Sequence, residues 1–179
     1  IAALESSANV VDVTAKSGDF FSSSMSERIM IDNENSIPVE VRDVRHNFFQ
    51  FFGIPVNFGR DFTPGDRGKE HISIYNKVGL DYQQKQDEYF AKEKITIAYR
   101  NKPELIGVLD DKLLVTPLNE EQKPIIYRCA DTFDLFTFYI RLHPSVDVAQ
   151  FSEFVRQKIE EFEIDAEKYE ISMFEDTIA

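Results

Sequence analysis

The pattern that most constrains the fold lies near the end of the chain, where a strand-like run precedes a periodic helical segment. Residues Leu135–Leu142 are mostly aromatic or branched, which is typical of a β-strand. A helix is predicted over 146–162, because apolar side chains recur there at helical spacing, at Phe151, Val155, Ile159 and Phe162. With a further strand predicted over Tyr169–Phe174, this strand–helix–strand unit indicates a fold that combines a sheet with covering helices.

Short strands dominate the rest of the chain. The segments Arg28–Ile31 and Pro38–Val44 flank turn-forming residues, so they predict a hairpin. Asn47–Phe52 predicts one helical turn, and Ile54–Phe62 predicts a coil. A second helix is predicted over Lys77–Ala91. Together these elements predict an α+β fold, and the direction of strand pairing stays open.

Composition narrows the function classes. The chain has 179 residues, with 20 Lys and Arg against 32 Asp and Glu, and its net charge is −12. This acidic balance argues against nucleic-acid binding, because phosphates would be repelled. The only cysteine, Cys129, excludes an intramolecular disulfide and a thiolate zinc cage, and we expect it to be a buried, inert thiol. No apolar run approaches the roughly 20 residues of a membrane helix, and the start at Ile1 predicts a piece excised from a longer protein.

No constellation of residues predicts catalysis or a cofactor. The seven glycines form neither a phosphate-binding loop nor a dinucleotide fingerprint. The three histidines are too scattered for a metal site, at His46, His71 and His143. Asp110 and Asp111 have the chemistry of a glycosidase acid pair, but such a pair is more typical of a turn. We therefore predict no catalytic, cofactor-binding or metal-binding residue, and keep a hydrolase at this pair as a minor alternative.

Aromatic residues supply the candidates for contact with a partner. Four phenylalanines crowd the helical turn Asn47–Phe52, and Phe20 with Phe21 lies on a Ser-rich loop. Such clusters usually wedge two layers together, but an exposed edge of aromatic side chains also marks an interaction surface. We therefore predict partner contacts at Phe20, Phe21, Phe48 and Phe52.

Several motifs follow one another in a recognisable order. They are Asn47–Ile54, Gly59-Arg60-Asp61-Phe62, His71–Asn76, Leu105–Asp111, Pro124–Ile126 and Ile171–Ile178. In this order and spacing, the chain resembles the extracytoplasmic domain of MacB/FtsX-type ABC transporter permeases. The motifs have structural roles in that family, so the resemblance implies no catalytic residue here. One departure is Lys77, which follows Asn76 where family members often carry Glu.

The resemblance implies a particular fold and place in the cell. It implies a porter-like α/β lobe built from both chain ends, over 1–58 plus 130–179, and an inserted, mostly β (sabre-like) lobe over 59–129. The domain would lie in the periplasm, outside the cell inner membrane, between two transmembrane helices of the same chain. It would be non-enzymatic, without a cofactor, and would couple ATP-driven movement of the membrane part to export or substrate handling.

The resemblance also implies partners. They are the transmembrane helices of the same chain, an ATP-binding subunit or domain on the cytoplasmic side, a second permease copy and, as a further class, a periplasmic adaptor. Nucleic acid is not among them. The alternative function is a stand-alone secreted or surface-exposed binding module, which would share the acidic charge and the aromatic loop but would have no membrane helices.

Overall fold

A computed structural model describes residues 1–69, 71–94, 104–109, 122–131, 134–162 and 169–174. Within these ranges the chain forms four α-helices and eight β-strands. In chain order they are α1 (Ala2–Glu5), β1 (Val10–Lys16), β2 (Met25–Met30), β3 (Ser36–Val44), α2 (Phe48–Phe52), β4 (Val56–Gly59), β5 (Ile72–Tyr75), α3 (Lys77–Lys92), β6 (Glu104–Leu109), β7 (Ile125–Cys129), β8 (Thr137–Leu142) and α4 (Val148–Glu161), with a 3-10 turn at Pro64–Asp66.

The chain divides into two units. The first unit combines Ile1–Thr14 with Phe138–Ala179, and the second comprises Ala15–Thr137. The chain therefore passes from one unit to the other within β1 and returns within β8. The parallel pairing of β3 with β7, from Glu40↔Ile125 to Val44↔Cys129, lies within the second unit. The lobe bounds implied by the resemblance, with crossings after residue 58 and after residue 129, stay a prediction.

A mixed sheet forms the centre of the second unit. Its strands follow the order β4-β6-β5-β7-β3, and β2 pairs with β3. The β5/β6 and β3/β7 pairs are parallel, whereas β4/β6, β5/β7 and β2/β3 are antiparallel. The predicted hairpin is confirmed, with Met25 opposite Val41 and Met30 opposite Ser36. This mixture of parallel and antiparallel pairs with separate helices confirms the predicted α+β class.

The helix α3 covers one face of this sheet. A buried cluster on the sheet contains Ile29, Val39, Val41, Tyr75 and Ile126, and Leu80 and Tyr82 of α3 pack against it. Burial of such branched and aromatic side chains supplies the main driving force for the layer. The predicted helix over Lys77–Ala91 is confirmed.

The start of α3 is fixed to β7 by one buried amide. Asn76 is 0% exposed, and its Oδ1 accepts hydrogen bonds from Gly79 N at 2.8 Å and Ile125 N at 2.9 Å. Its Nδ2 donates to Lys123 O at 2.7 Å. The side chain thus caps the helix and joins it to a strand 49 residues away in sequence.

The first unit contains α4, which confirms the helix predicted over 146–162. Asp147 caps it, accepting hydrogen bonds from Ala149 N and Gln150 N at 2.9 and 3.1 Å. Phe151 is buried, whereas Phe162 at the other end is 65% exposed. The predicted periodicity is therefore correct: Val155 and Ile159, between these two residues, are half-buried, so burial of the apolar face decreases towards the end of the helix.

Two local predictions were wrong. Val56–Gly59, predicted as coil, forms β4 because its backbone pairs with β6 and not because its side chains are buried, since Phe58 is 73% exposed. Tyr169–Phe174, predicted as a strand, has no strand structure. Its Ile171 and Met173 are 39% and 48% exposed, so these apolar side chains do not place the segment in a sheet.

Gly79→Ala tests the joint between α3 and β7. An added Cβ would lie 2.9 Å from both Asn76 Oδ1 and Ile125 O, and the backbone carbonyl cannot move without disturbing β7. We expect the free energy of unfolding to fall by about 2 kcal/mol in chemical denaturation. Gly65→Ala is the control, because a Cβ at that position would lie no nearer than 3.7 Å to Thr63 Oγ1, which is ordinary van der Waals contact. Equal losses of stability in the two variants would contradict the conclusion that close packing at Gly79 joins α3 to β7.

Candidate functional site

The four phenylalanines predicted as partner contacts come together in one place in the second unit. The ring centroid of Phe20 lies 5.0 Å from those of Phe21 and Phe52 and 6.0 Å from that of Phe48. The Phe48 and Phe52 rings are 4.9 Å apart. Edge-to-face and tilted geometries of this kind are the favourable ones for aromatic pairs. We call these four residues the aromatic cluster.

Two members of the aromatic cluster are interior. Phe20 and Phe48 are only 3% and 2% exposed. The expectation that they form an accessible edge is therefore corrected for this conformation, because the Ser-rich loop folds back and inserts Phe20 against α2. Phe21 and Phe52 are half-buried, and their role in partner contact stays a prediction.

The helix α2 presents its aromatic side chains in two directions. Phe49 is fully buried, with its ring 5.0 Å from that of Tyr127 on β7 and 6.0 Å from that of Phe62. The helix ends at Gly53, whose φ of +66° suits glycine and whose N–H bonds to Gln50 O at 3.2 Å. This short helix thus wedges the loop and the sheet together, the structural role weighed for it in the sequence.

A buried lysine lies beside the aromatic cluster. Lys16, the last residue of β1, is 0% exposed. Its ammonium donates to the carbonyl oxygens of Ser17 at 3.0 Å and Asp19 at 2.8 Å, and also to that of Ser22. Three N–H donors therefore meet three loop carbonyls, which is how a buried ammonium is satisfied. Burial, together with the charge of Arg42, lowers the pKa of Lys16 to about 8.

Arg42 on β3 is a second buried cation that holds the same loop. Its Nη2 donates to Phe21 O at 2.9 Å and to Glu40 Oε2 at 2.8 Å. Its Nη1 lies 3.3 Å from the Tyr127 hydroxyl, and its guanidinium carbon lies 5.9 Å from the Tyr127 ring centroid. We call Lys16 and Arg42 the cation pair. Through these two side chains, four carbonyls of the Ser17–Ser24 loop are bonded to the body of the unit.

The Gly59-Arg60-Asp61-Phe62 motif has a structural role. Gly59 has φ +76°, and a Cβ there would lie 2.0 Å from Ile106 O, so only glycine permits this approach of β4 to β6. Arg60 bonds to both carboxylate oxygens of buried Asp66, at 2.6 and 3.2 Å. Asp66 also accepts from Thr63 N at 2.9 Å, which fixes the 3-10 turn.

Two findings concern the reactive and metal-binding side chains among the described residues. Burial raises the pKa of the Cys129 thiol to about 12, which makes it a poor nucleophile. In the described ranges no group of three or more His, Cys, Asp or Glu side chains is placed to hold a metal ion. Asp110 and Asp111, the minor hydrolase alternative, lie outside the described residues. No helix of the described part of the chain is long and apolar enough to cross a membrane.

Comparison with solved structures identifies the fold. The periplasmic region of MacB from Actinobacillus actinomycetemcomitans matches with a TM-score of 0.54 and 14% identity, over 90% of this chain and 71% of that one. The extracellular domain of the noncanonic ABC-type transporter YknZ from Gram-positive bacteria matches with a TM-score of 0.55 and 15% identity, over 92% and 83%. A domain of a permease protein from Porphyromonas gingivalis matches with a TM-score of 0.53 and 12% identity, over 89% and 74%.

Comparisons of sequence identify no relative, since no family model and no curated protein matches the chain. The structural likeness is nevertheless consistent across the three proteins. The chain has the fold of the extracytoplasmic domains of ABC transporter permeases. More particularly, it is a MacB-type periplasmic-domain fold, which confirms the resemblance noted in the sequence at the level of fold.

Phe48→Ala tests whether the aromatic cluster is part of the core. Removing a ring that is 2% exposed leaves a cavity between the loop and α2, so we expect the free energy of unfolding to fall by about 3–5 kcal/mol in urea titration. Phe58→Ala is the matched control, because that ring is 73% exposed and its loss should change stability by less than about 0.5 kcal/mol. A mild effect at Phe48 would show that the ring is not packed as described.

Asp66→Asn tests the ion pair of the motif. The hydrogen bond from Arg60 holds the pKa of the Asp66 carboxyl well below its usual range, so its ionised form stabilises the fold above about pH 4 and is lost as the pH falls further. We expect the variant to be less stable by about 2 kcal/mol at pH 7. The difference should shrink when unfolding is measured at successively lower pH, towards pH 2. Asp134→Asn, at an exposed carboxylate, is the control and should change the stability at pH 7 by less than about 0.5 kcal/mol.

Proposed function

We propose that the chain is the non-enzymatic extracytoplasmic domain of an ABC transporter permease. The observation that supports this most strongly is the shared fold with the periplasmic region of MacB and the extracellular domain of YknZ, over about nine-tenths of this chain. The domain lies on the outer side of the cytoplasmic membrane, in the periplasm where an outer membrane is present. Its work is to couple ATP-driven movement of the membrane part to export or to substrate handling outside the membrane.

The second unit has the construction that a mechanical role requires. A domain that transmits movement must keep its shape under load, and this unit has polar links between elements distant in sequence. Asn76 joins α3 to β7, Arg128 pairs with Asp43 at 2.9 Å between β7 and β3, and the cation pair secures a loop. Because these links are buried or half-buried, they are shielded from water and resist local opening better than exposed ion pairs.

The partners follow from the proposed role. They are the transmembrane helices of the same chain, an ATP-binding subunit or domain in the cytoplasm, and a second permease copy in the full assembly. A periplasmic adaptor is a further partner class. Phe21 and Phe52 are our proposed contacts at the half-exposed edge of the aromatic cluster. The net charge of −12 favours partner surfaces that are neutral or basic.

A stand-alone secreted or surface-exposed binding module is the competing function. It would have the same fold and charge, but its gene would encode a cleavable signal peptide and no membrane helices. The two functions therefore differ in whether the chain is anchored in the membrane. An experiment on the full-length native protein in cells distinguishes them.

Cysteine labelling of the full-length protein tests the proposed location. Ser23 is exposed on the Ser-rich loop, so Ser23→Cys provides a reactive thiol, while Cys129 is buried with a raised pKa and stays unlabelled. A small membrane-impermeant maleimide added to intact cells should label the Ser23→Cys protein and leave the parent protein at background. The labelled protein should remain in the membrane fraction after washing at high pH.

Two results would contradict the proposal. Labelling that occurs only after cell lysis would place the domain in the cytoplasm. Labelled protein that is released into the medium or the soluble fraction would instead support the secreted binding module.

A further inference from the structure

All three methionines of the chain lie at its surface. Met25, Met30 and Met173 are 46%, 39% and 48% exposed, and the chain contains no other methionine. Methionine is among the residues most often buried, because its flexible thioether fills gaps in apolar cores. In this chain no methionine lies in the core, and the sulfur atoms are accessible to solutes. We call these three residues the surface methionines.

Two of the surface methionines mark the ends of β2. Met25 lies opposite Val41 and Met30 lies opposite Ser36 in the pairing with β3. Between them in the same strand, Ile29 is 4% exposed and belongs to the buried cluster of the sheet. The strand therefore directs its isoleucine into the core and leaves both thioethers outside it.

The third surface methionine lies in the first unit. Met173 belongs to the segment 169–174, in which Ile171 is also exposed. The next residue, Phe174, packs its ring edge-on against that of Tyr139 on β8, with the ring centroids 5.7 Å apart. In the described part of the chain this ring contact with β8 is made by Phe174, while the thioether of Met173 remains accessible.

The remaining sulfur atom of the chain is protected. Cys129 is 2% exposed, and burial raises the pKa of its thiol to about 12. A thiol reacts with a hydroperoxide through its thiolate form, which this residue does not reach at neutral pH. The thioethers of the surface methionines are therefore the sulfur atoms that a two-electron oxidant meets in the folded protein.

We propose that Met25, Met30 and Met173 are reversible oxidation sites, at which a hydroperoxide converts the thioether to a sulfoxide without disturbing the fold. A sulfur lone pair forms the S–O bond to one oxygen of the hydroperoxide and the O–O bond breaks. The proton moves to the other oxygen, which leaves as water or an alcohol. The sulfur is oxidised by two electrons and the hydroperoxide is reduced by two. A methionine sulfoxide reductase, with a thiol as the reductant, reverses the change.

Surface exposure is the reason that the fold tolerates this oxidation. A sulfoxide is polar, so in a core it would bury an oxygen without a hydrogen-bond partner and destabilise the protein. At a surface position water hydrates the new oxygen, and the buried cluster that contains Ile29 keeps its packing. The oxidised domain should therefore keep its fold while its surface becomes more polar at three points. These sites do not depend on whether the domain belongs to a permease.

Peptide mapping after peroxide treatment measures each site separately. Trypsin cleaves after Lys and Arg, so Met25, Met30, Met173 and Cys129 each fall on a peptide of their own, over 17–28, 29–42, 169–179 and 129–141. The folded chain and the chain unfolded in urea are treated with the same concentration of hydrogen peroxide. Mass spectrometry of the peptides at successive times then gives the rate of oxygen uptake at each sulfur atom in both states.

The expected result is a contrast between surface and buried sulfur. Each surface methionine should react in the folded chain within about threefold of its rate in urea, whereas Cys129 should be slowed at least about tenfold. The oxidised chain should keep the urea midpoint of the untreated chain. Methionine sulfoxide reductases A and B should return the three peptides to their original masses.

Leu109→Met is the matched control for burial. Leu109 is 2% exposed at the end of β6, and exchange of leucine for methionine nearly conserves volume. The introduced methionine falls on a separate peptide, over 101–112. Its oxidation should be slowed at least about tenfold in the folded chain, because the protein must open before peroxide reaches it.

Three results would overturn the proposal. One is protection of any surface methionine as strong as that of the methionine introduced at position 109. Another is a lower urea midpoint for the oxidised chain than for the untreated chain. The third is sulfoxide that the reductases do not remove from the folded protein. If Leu109→Met does not fold, Cys129 of the parent chain supplies the buried reference.

Discussion

The parallel pairing of β3 with β7 is the constraint on which the second unit depends. These strands lie more than 80 residues apart in sequence, yet they run side by side from Glu40↔Ile125 to Val44↔Cys129. Parallel neighbours cannot be joined by a tight turn, so the chain between them must leave the sheet and return. The segment between them contains α2, β4, β5, α3 and β6, and so supplies three further strands of the sheet. Asn76 then secures the return by bonding directly to the first residue of β7.

The elements that the sequence predicted correctly are those whose structure depends mainly on neighbouring residues. Helices α3 and α4 were found from periodicity, and the β2–β3 hairpin from turn residues between two branched runs. The position of Gly53 after α2 was also readable, because glycine is the residue that best adopts the left-handed conformation found there. In each of these cases the information lies within about 15 neighbouring residues, so no knowledge of distant contacts is needed.

What the sequence could not predict depends on distant partners. Val56–Gly59 is a strand only because β6 is beside it, and its exposed Phe58 gives no alternation to recognise. Phe20 lies among serines, which is typical of a surface loop, yet the ring is buried because α2 lies beneath it. Lys16 is the least predictable, since burial of an ammonium requires three acceptors that only the folded loop supplies.

Cys129 has a consequence for the redox chemistry of the domain. It is the only cysteine, it is 2% exposed, and burial keeps its thiol protonated. Thiol–disulfide exchange requires an accessible thiolate as the attacking group. In an oxidising compartment the folded domain would therefore resist capture as a mixed disulfide with oxidoreductases and would not form covalent dimers through this residue. Only unfolded copies would expose the thiol, so oxidative cross-linking would mark molecules that have failed to fold.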